Sequence, residues 1–443
     1  MKTIFITSFH VLISRNVLAT GILPLLALDG IRVIILCPKK KEQFFRQEFE
    51  QDGVLVEPVL LKLNWRDLIL RFLSLAALRT KTLWIKRRTE MKGKGAFISE
   101  LIPVSLAVCL TRWLNPILTP SNRFKFLLEK YHPELIFATD IQNEYDVSLL
   151  REAQLRKVKT VGMVRSWDNL SSKGLIRLIP NVLLMNNELA KKEAVELHGV
   201  PIEKIRVVGL PHYDNYFQAP KLSCEALKEK LGLAANKKFI LFAPIGDRHI
   251  RHNVTDREVL DMLVRARGDG TLPRDLQVLV RFPPTIHVSL GGFVAPPWMR
   301  IEQPGVGFQE AAVKDNELNQ EDDLHLIDSL AASDLVLTGP STIAIDSALA
   351  DKPTVLIGFD NGGRGYWGSI RAWYGYDHFR AILASGGARY AADAAACLEH
   401  IRLYLAHPET DRAGRRRIAE EQCGWLDGKS SERLLAVLAA YCR

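Results

Sequence analysis

What this 443-residue chain lacks narrows it first. Its six cysteines (Cys37, Cys109, Cys224, Cys397, Cys423 and Cys442) are scattered and form no CxxC pair. That pattern excludes both a zinc framework and a disulfide framework, and it points to a reducing cytoplasm. No uninterrupted apolar run reaches the length needed to span a bilayer. The short apolar run after Lys2 breaks at Ser8, so it reads as a first strand and not as a signal peptide. Simple repeats and low-complexity tracts are also absent. With 47% hydrophobic and 25% charged residues, the composition is that of an ordinary globular protein with enough length for two or three domains.

Acidic residues are scarce in one segment. Between Lys62 and Lys94 ten Lys/Arg residues face only Asp67 and Glu90, which gives that segment +8 of the chain's total of +9. Leu68, Ile69, Phe72, Leu75 and Trp84 are interspersed there. Basic and apolar residues mixed with a Trp suit a helix lying on an anionic membrane surface. A second apolar stretch, Leu101 to Leu118 with Trp113, is placed to assist. The same pattern also suits a helical hairpin with a solvated basic face. No aromatic-basic motif of a nucleic-acid module accompanies the charge, so no nucleic-acid partner is expected.

The remainder alternates short apolar runs with amphipathic stretches in two blocks. Strands are expected at Thr3–Thr7, Arg32–Leu36, Val54–Pro58, Leu135–Thr139, Lys159–Val164, Val182–Met185 and Ile205–Val208. After a linker near Gln218–Ser223 they resume at Lys238–Ala243, Leu276–Val280, Leu335–Thr338 and Thr354–Ile357. The expected fold class is therefore α/β, with two Rossmann-like doubly wound domains facing across a cleft. The expected division is 1–218, with a basic and apolar helical insertion at 62–118, and 219–443, which includes the closing C-terminal helices.

The most informative stretch runs from Ser333 to Gly358. A buried strand there is broken by Gly339-Pro340, and Ser341 or Thr342 is placed to cap the helix from Ile343 to Leu349. A Gly/Ser/Thr turn of this kind offers backbone N–H groups to a phosphate, although it can equally be a plain helix cap. Asp346, one turn in, is within reach of a ribose hydroxyl. Ligands of doubly wound sheets bind beyond the carboxyl ends of the strands. That rule delivers His10, Asn16, Asp140, Trp167, Asp168 and Asn169 from the first block. From the second it delivers Asp247, Arg248, His249, Arg281, Ser341, Thr342 and Asp346. Structural roles compete, with Arg281 as a salt-bridge partner and Asp168 as a turn cap.

The plan resembles the two-Rossmann architecture of GT-B glycosyltransferases. From Lys238 onward it is similar to CDP-glycerol glycerophosphotransferase-type enzymes and related surface-polysaccharide transferases. The likeness rests on Ser333-Asp-Leu-Val-Leu-Thr-Gly-Pro-Ser-Thr342 with Asp346 and Lys352-Pro353, on Phe242-Ala-Pro244 with Asp247-Arg248, and on Leu426-Asp-Gly-Lys-Ser-Ser-Glu-Arg433. The tyrosine-serine-serine turn usual in those enzymes is here Gly339-Pro-Ser-Thr342. The resemblance implies transfer of a glycosyl or polyol-phosphate group from a nucleotide-activated donor to a glycan or lipid-linked acceptor, in cell-surface glycan synthesis on the inner face of the membrane. It implies His10 as catalytic base, with Asp140 and Asp168 as rivals. Asn16, Trp167 and Asn169 would touch the acceptor. Asp247, Arg248, His249, Arg281, Gly339, Ser341, Thr342 and Asp346 would hold the donor. No cofactor and no metal are expected, since Asp322-Asp323 read as charges at a helix N-terminus. A hydrolysing nucleotide-sugar 2-epimerase and a non-catalytic glycan- or nucleotide-binding partner share the same plan.

Overall fold

The computed structural model describes residues 2–91, 94–218, 222–247, 253–308, 313–360 and 365–442, with the side chains of residues 94–97 and 314 left undescribed. Arg248 and His249 therefore lie outside the described residues. The chain forms two compact units. One comprises Met1–Arg87, Met91–Phe217 and Gln422–Arg443, and the other comprises Arg88–Glu90 and Gln218–Glu421.

The first unit is built on a seven-stranded, all-parallel sheet in the order β3-β2-β1-β4-β5-β6-β7. Its strands are β1 (Lys2–Thr7), β2 (Ile31–Pro38), β3 (Val54–Val59), β4 (Leu135–Ala138), β5 (Lys159–Met163), β6 (Val182–Met185) and β7 (Ile205–Val207). The apolar runs of β1, β4 and β6 are almost wholly buried, as expected for a parallel sheet with helices on both faces. Among the described residues five helices fill the long connection between β3 and β4: Trp65–Ala76, Lys81–Thr89, Lys94–Leu101, Val104–Leu118 and Lys125–Tyr131. Among the described residues no helix is long and apolar enough to cross a membrane.

The second unit has a six-stranded parallel sheet in the order β10-β9-β8-β11-β12-β13. Its strands are β8 (Phe239–Ala243), β9 (Gln277–Arg281), β10 (Met299–Glu302), β11 (Leu335–Thr338), β12 (Thr354–Ile357) and β13 (Arg389–Ala391). Both sheets thus follow the doubly wound pattern, and the order of connection reverses once in each: between β1 and β4, and between β8 and β11.

Two details depart from expectation. The edge strands β10 and β13 arise where no strand was expected. The closing helix Ser430–Cys442 belongs to the first unit, not to a domain running 219–443. Its N-terminus explains the attachment: the backbone N–H groups of Ser430 and Ser431 donate to the buried carboxylate of Asp214 at 2.8 and 2.7 Å. An acidic side chain on the free N–H groups of a helix start is a favourable cap.

Candidate functional site

In the first unit the reversal point is stitched by hydroxyl groups. Thr7 Oγ1 and Thr139 Oγ1 lie 3.1 Å apart, and the Thr139 N–H and hydroxyl donate to Thr7 Oγ1 and Thr7 O at 2.9 and 2.8 Å. The Thr7 hydroxyl also donates to the buried Asp146 at 2.5 Å. Burial, and then the charge of Asp140, push the Asp146 carboxyl well above the usual carboxylate range.

Directly beyond these threonines lie several of the expected residues. Asp140 follows β4 and accepts from Arg165 Nη1 at 2.5 Å, in a pair buried on both sides. Arg165 Nη2 also donates to Asn169 Oδ1 at 3.3 Å. Asn169 is fully buried at the start of a short helix, Asn169–Ser172. Asp168 immediately precedes it, half-buried, and accepts from the Ser172 hydroxyl at 3.1 Å. Its capping tendency is thus real, but the bond runs to a side chain and not to a helix N–H. Trp167 is half-buried in the same loop. Asn16 is buried in a π-helical turn, Ser14–Leu18, and accepts from Arg15 Nε at 3.1 Å.

His10 sits just past β1, half-buried, and the Leu12 N–H donates to its Nδ1 at 3.3 Å. That bond occupies the Nδ1 lone pair, so the neutral ring carries its proton on Nε2. In that tautomer Nε2 is a hydrogen-bond donor, which suits charge stabilisation better than proton removal.

Sequence reasoning missed Ser8, Gln142, Arg165 and Lys173 in this unit. Lys173 is solvent-accessible yet crowded by protein, and this desolvation followed by the Arg165 charge pushes its ammonium down to about 8. Their signal was present in part, since Ser8, Gln142 and Arg165 follow strand ends and Lys173 ends the short helix after β5, but nothing in the sequence distinguishes them from loop residues.

In the second unit the reversal point is bridged by Thr338 Oγ1, which donates to Ala243 O at 3.1 Å. Gly339 is required there by packing, because a Cβ would meet Ile245 Cγ1 at 2.4 Å. Gly246 is required twice over, with a φ of +76° and a Cβ position 2.5 Å from Ile286 Cγ2. The loop carrying it is anchored by Asp256, which accepts from the N–H groups of Ile245 and Gly246 and from Asn253 Nδ2. Burial raises the Asp256 carboxyl to about 6 against those three bonds.

Asp247 follows and accepts from Ser289 Oγ at 2.6 Å and from His287 Nδ1 at 2.8 Å, tying the β8 loop to the β9 loop. Ser341 is half-buried and Thr342 exposed, at the start of the seven-residue helix Ile343–Leu349. Thr342 occupies the N-cap position, but its side chain makes no capping bond, which corrects the expected hydroxyl cap. The turn is closed by backbone bonds instead, from Ala344 N to Ser341 O and from Ile345 N to Thr342 O. Asp346 is buried within that helix.

Arg281 follows the alternative anticipated for it: one Nη donates to Glu302 at 2.5 Å and the other to Asp322 O at 2.8 Å. Burial raises the Glu302 carboxyl, but the His325 bond and the Arg281 charge outweigh it and hold the group below its ordinary value. Arg281 thereby secures β10 and the start of helix Gln320–Ala332, where Asp322 and Asp323 do sit in the first turn. Among the described residues no group of His, Cys, Asp or Glu is arranged to hold a metal ion.

Comparison with known proteins bears on this geometry. Residues 159–287 match the family model of CDP-glycerol:poly(glycerophosphate) glycerophosphotransferase. The match runs from β5 to the β9 loop, so it begins earlier than the likeness read from Lys238 onward and stops short of the Gly339 turn. No curated protein matches the chain. Among solved structures, UDP-GlcNAc 2-epimerase from Neisseria meningitidis bound to UDP-GlcNAc is similar over 99% of this chain and 100% of its own, with a TM-score of 0.57 at 12% identity. UDP-GlcNAc 2-epimerase from Methanocaldococcus jannaschii gives 0.52 at 14% identity, over 99% of this chain and 100% of its own. A glycosyltransferase from Rickettsia africae gives 0.50 at 14% identity, over 100% of this chain and 99% of its own.

The fold is GT-B. At these identities the structural likeness extends to the fold alone, and the two reversal points are where a fold of this kind places ligands.

Proposed function

We propose that the protein transfers a glycosyl or polyol-phosphate group from a nucleotide-activated donor to an acceptor hydroxyl. The observation that carries this reading is the glycerophosphotransferase match over 159–287, which spans the polar loop at Arg165–Asn169 and the Gly246 loop. The donor phosphates occupy the reversal point of the second unit, against the backbone of the Gly339–Thr342 turn and of Ile245–Asp247 after β8. The acceptor hydroxyl is served by the first unit.

Group transfer of this type needs a base for the acceptor and neutralisation of the leaving phosphates. The base moves from His10, the first choice from the sequence, to Asp168. Asp140 is held by Arg165, and the Nδ1 of His10 is occupied by Leu12 N–H. Asp168 carries a half-buried carboxylate in the loop after β5, where it accepts from the Ser172 hydroxyl. His10 Nε2–H acts as a donor to developing negative charge.

Membrane attachment belongs to the same proposal, with its centre moved. Of the basic residues at 62–94, Arg79 donates to the carbonyls of Ser99, Glu100 and Ile102, and the buried Arg87 to Leu75 O. These two guanidinium groups hold the helices together and leave the surface charge to Lys62, Arg66, Arg71 and Lys81, all exposed. Helix Val104–Leu118 packs Ala107, Thr111 and Asn115 inward and exposes Leu106, Trp113 and Ile117. Trp65 and Leu68 of the adjacent helix are exposed as well, and exposed apolar residues mixed with cationic ones suit an anionic lipid surface.

Calorimetry with UDP-, CDP-, GDP- and CMP-linked donors tests the donor assignment. Saturable binding of one donor is expected, and Ser341→Asp should weaken it by placing like charge beside the phosphates. Unchanged affinity in that variant removes the turn from the site. Turnover of UDP-GlcNAc without any acceptor makes the protein an epimerase instead.

A further inference from the structure

The loop after β5, which carries Asp168 and Asn169, is tied to the sheet edge and also to the helical insertion at 62–118. On the sheet side, Gln142 Nε2 donates to Gly174 O at 2.6 Å. On the insertion side, Thr80 Oγ1 donates to Ser171 O at 2.6 Å, and the Leu175 N–H donates to Ser74 O at 2.9 Å. The approach is close enough to require glycine at 174, where φ is +99° and a Cβ would lie 2.9 Å from Ser74 Oγ. The Leu175 side chain is buried with Ala76, Ala77 and Ala107. Ala76 ends helix Trp65–Ala76 and Ala107 lies on helix Val104–Leu118, so the loop supplies part of the packing between these two helices.

A second tie runs through His198. Its Nδ1 accepts from the Ile176 N–H at 3.0 Å, and in that tautomer Nε2–H donates to Leu170 O at 2.9 Å. One imidazole therefore bridges two points of the loop six residues apart. Burial pushes the ring down to about 4, so it stays neutral and keeps both bonds at neutral pH. The His198 carbonyl in turn accepts from Arg112 Nη2 at 2.9 Å. Arg112 belongs to helix Val104–Leu118, beside the exposed Trp113.

The two helices that pack on Leu175 are the ones that expose Trp65, Leu68, Leu106, Trp113 and Ile117. Opening the loop breaks bonds to the insertion and withdraws Leu175 from between them. Whatever binds the packed helices and not the parted ones opposes that opening by mass action. We infer that an anionic lipid surface regulates the site of the first unit, by docking on these helices and thereby fixing the loop that carries Asp168 and Asn169. This rests on the membrane reading above and goes beyond it, because lipid becomes a regulator of the site and not only an anchor.

Hydrogen exchange of the full-length protein, read by mass spectrometry beside co-sedimentation, tests the coupling. The probes are equimolar phosphatidylglycerol–phosphatidylcholine vesicles and vesicles of phosphatidylcholine alone. At ten times the lipid concentration that gives half-maximal pelleting, exchange of residues 170–178 should slow by roughly tenfold. Residues 201–208, which include edge strand β7, should exchange as before, and neutral vesicles should change neither segment. The Trp65→Ser/Trp113→Ser double variant should lose both pelleting and slowing. Thr80→Val should pellet like the wild type but exchange residues 170–178 roughly fivefold faster without lipid, the scale of one lost hydrogen bond. Thr80→Ser keeps the hydroxyl and should restore the wild-type rate. Pelleting with unchanged exchange at 170–178 overturns the coupling and leaves the membrane reading standing, whereas failure to pellet overturns both. Equal slowing at 201–208, or a Thr80→Val variant that exchanges like the wild type, also overturns it.

Discussion

Asp140 and Arg165 are 25 positions apart in sequence and meet at 2.5 Å beyond the ends of two neighbouring strands, both buried. The pair explains why a loop rich in polar residues keeps one shape at the reversal point of the first sheet. Arg165 aligns Asn169 through its second Nη, and the Asp140 charge adds to the burial that pushes the Asp146 carboxyl up.

Breaking that pair from one side should be costly. Arg165→Met leaves a buried carboxylate without its cation, and Asp140→Asn leaves a buried guanidinium, so each should destabilise the protein by about 3–5 kcal/mol. The double variant should recover much of the loss, because neither charge then remains buried alone. Chemical denaturation of the four proteins of this cycle measures the coupling. Additive losses would show that the two residues act independently.

Asp256 makes a pH prediction. Its folded carboxyl titrates near 6, above the ordinary value of 3.8. Below the unfolded pKa both states bind the proton and the group costs nothing. As pH rises through about 4 the unfolded chain ionises first, so stability falls until the folded carboxyl ionises near 6. The penalty saturates at roughly 3 kcal/mol, at 1.36 kcal/mol per pKa unit. Asp256→Asn should therefore be less stable at low pH, where its NH₂ meets the Gly246 N–H, but should close the gap on the wild type between pH 4 and 6. A constant difference across that window would rule out the raised carboxyl.

Much of the architecture was legible because parallel strands buried on both faces leave continuous apolar runs. Val182–Met185, Leu335–Thr338 and Thr354–Ile357 appear with the expected bounds. The strands that escaped are short sheet edges: Met299–Glu302 carries Arg300 and Glu302, and Arg389–Ala391 has three residues. Their pairing comes from the neighbouring strand, not from local pattern. The return of Ser430–Cys442 to the first unit was equally hidden, because the cap that fixes it is Asp214, more than two hundred positions earlier. At the site, residue classes were readable from strand ends, but their duties were not. Arg281 and Asp247 are taken up by Glu302 and by Ser289 with His287, partners that tertiary folding alone supplies.

Gly339 should be intolerant of even one methyl group. A Cβ there would lie 2.4 Å from Ile245 Cγ1 and 3.2 Å from Ile370 Cδ1. Gly339→Ala should shift the turn and weaken nucleotide binding by about tenfold or more, with overpacking costing about 1–3 kcal/mol of stability. Adding Ile245→Ala opens the space and should restore part of both losses. A double variant no better than the single one would place the strain elsewhere.

The apolar face should govern attachment to lipid. Trp113 is 63% exposed and Trp65 61%. Replacing either by Ser should lower partition onto anionic vesicles by roughly tenfold, the scale of burying one large apolar side chain. Lys62 and Arg66 contribute about 1 kcal/mol each near an anionic surface, an effect that fades as salt rises. Arg79→Ala should act differently: it frees the carbonyls of Ser99, Glu100 and Ile102 and should lower the melting temperature. Co-sedimentation with neutral and anionic liposomes reads the first two effects, and equal pelleting with both would argue against an electrostatic anchor.

The base is the remaining assignment, and mutation separates its three candidates. Asp140 is paired with Arg165 in a buried ion pair, so its loss should register mainly as instability. His10 has its Nδ1 engaged by Leu12 N–H, so His10→Gln, which retains a side-chain donor, should keep more activity than His10→Ala. Asp168 carries the proton transfer in this scheme, so Asp168→Asn should lower turnover by roughly 10²–10⁴-fold, the range for a lost general base. Donor affinity should stay intact, since the donor is assigned to the other unit. The pH profile is the sharper reading: the wild type should lose activity as pH falls and the base protonates, and Asp168→Asn should flatten that limb. If His10→Gln flattens it and Asp168→Asn does not, the histidine is the base, and the tautomer set by Leu12 is not the one that reacts.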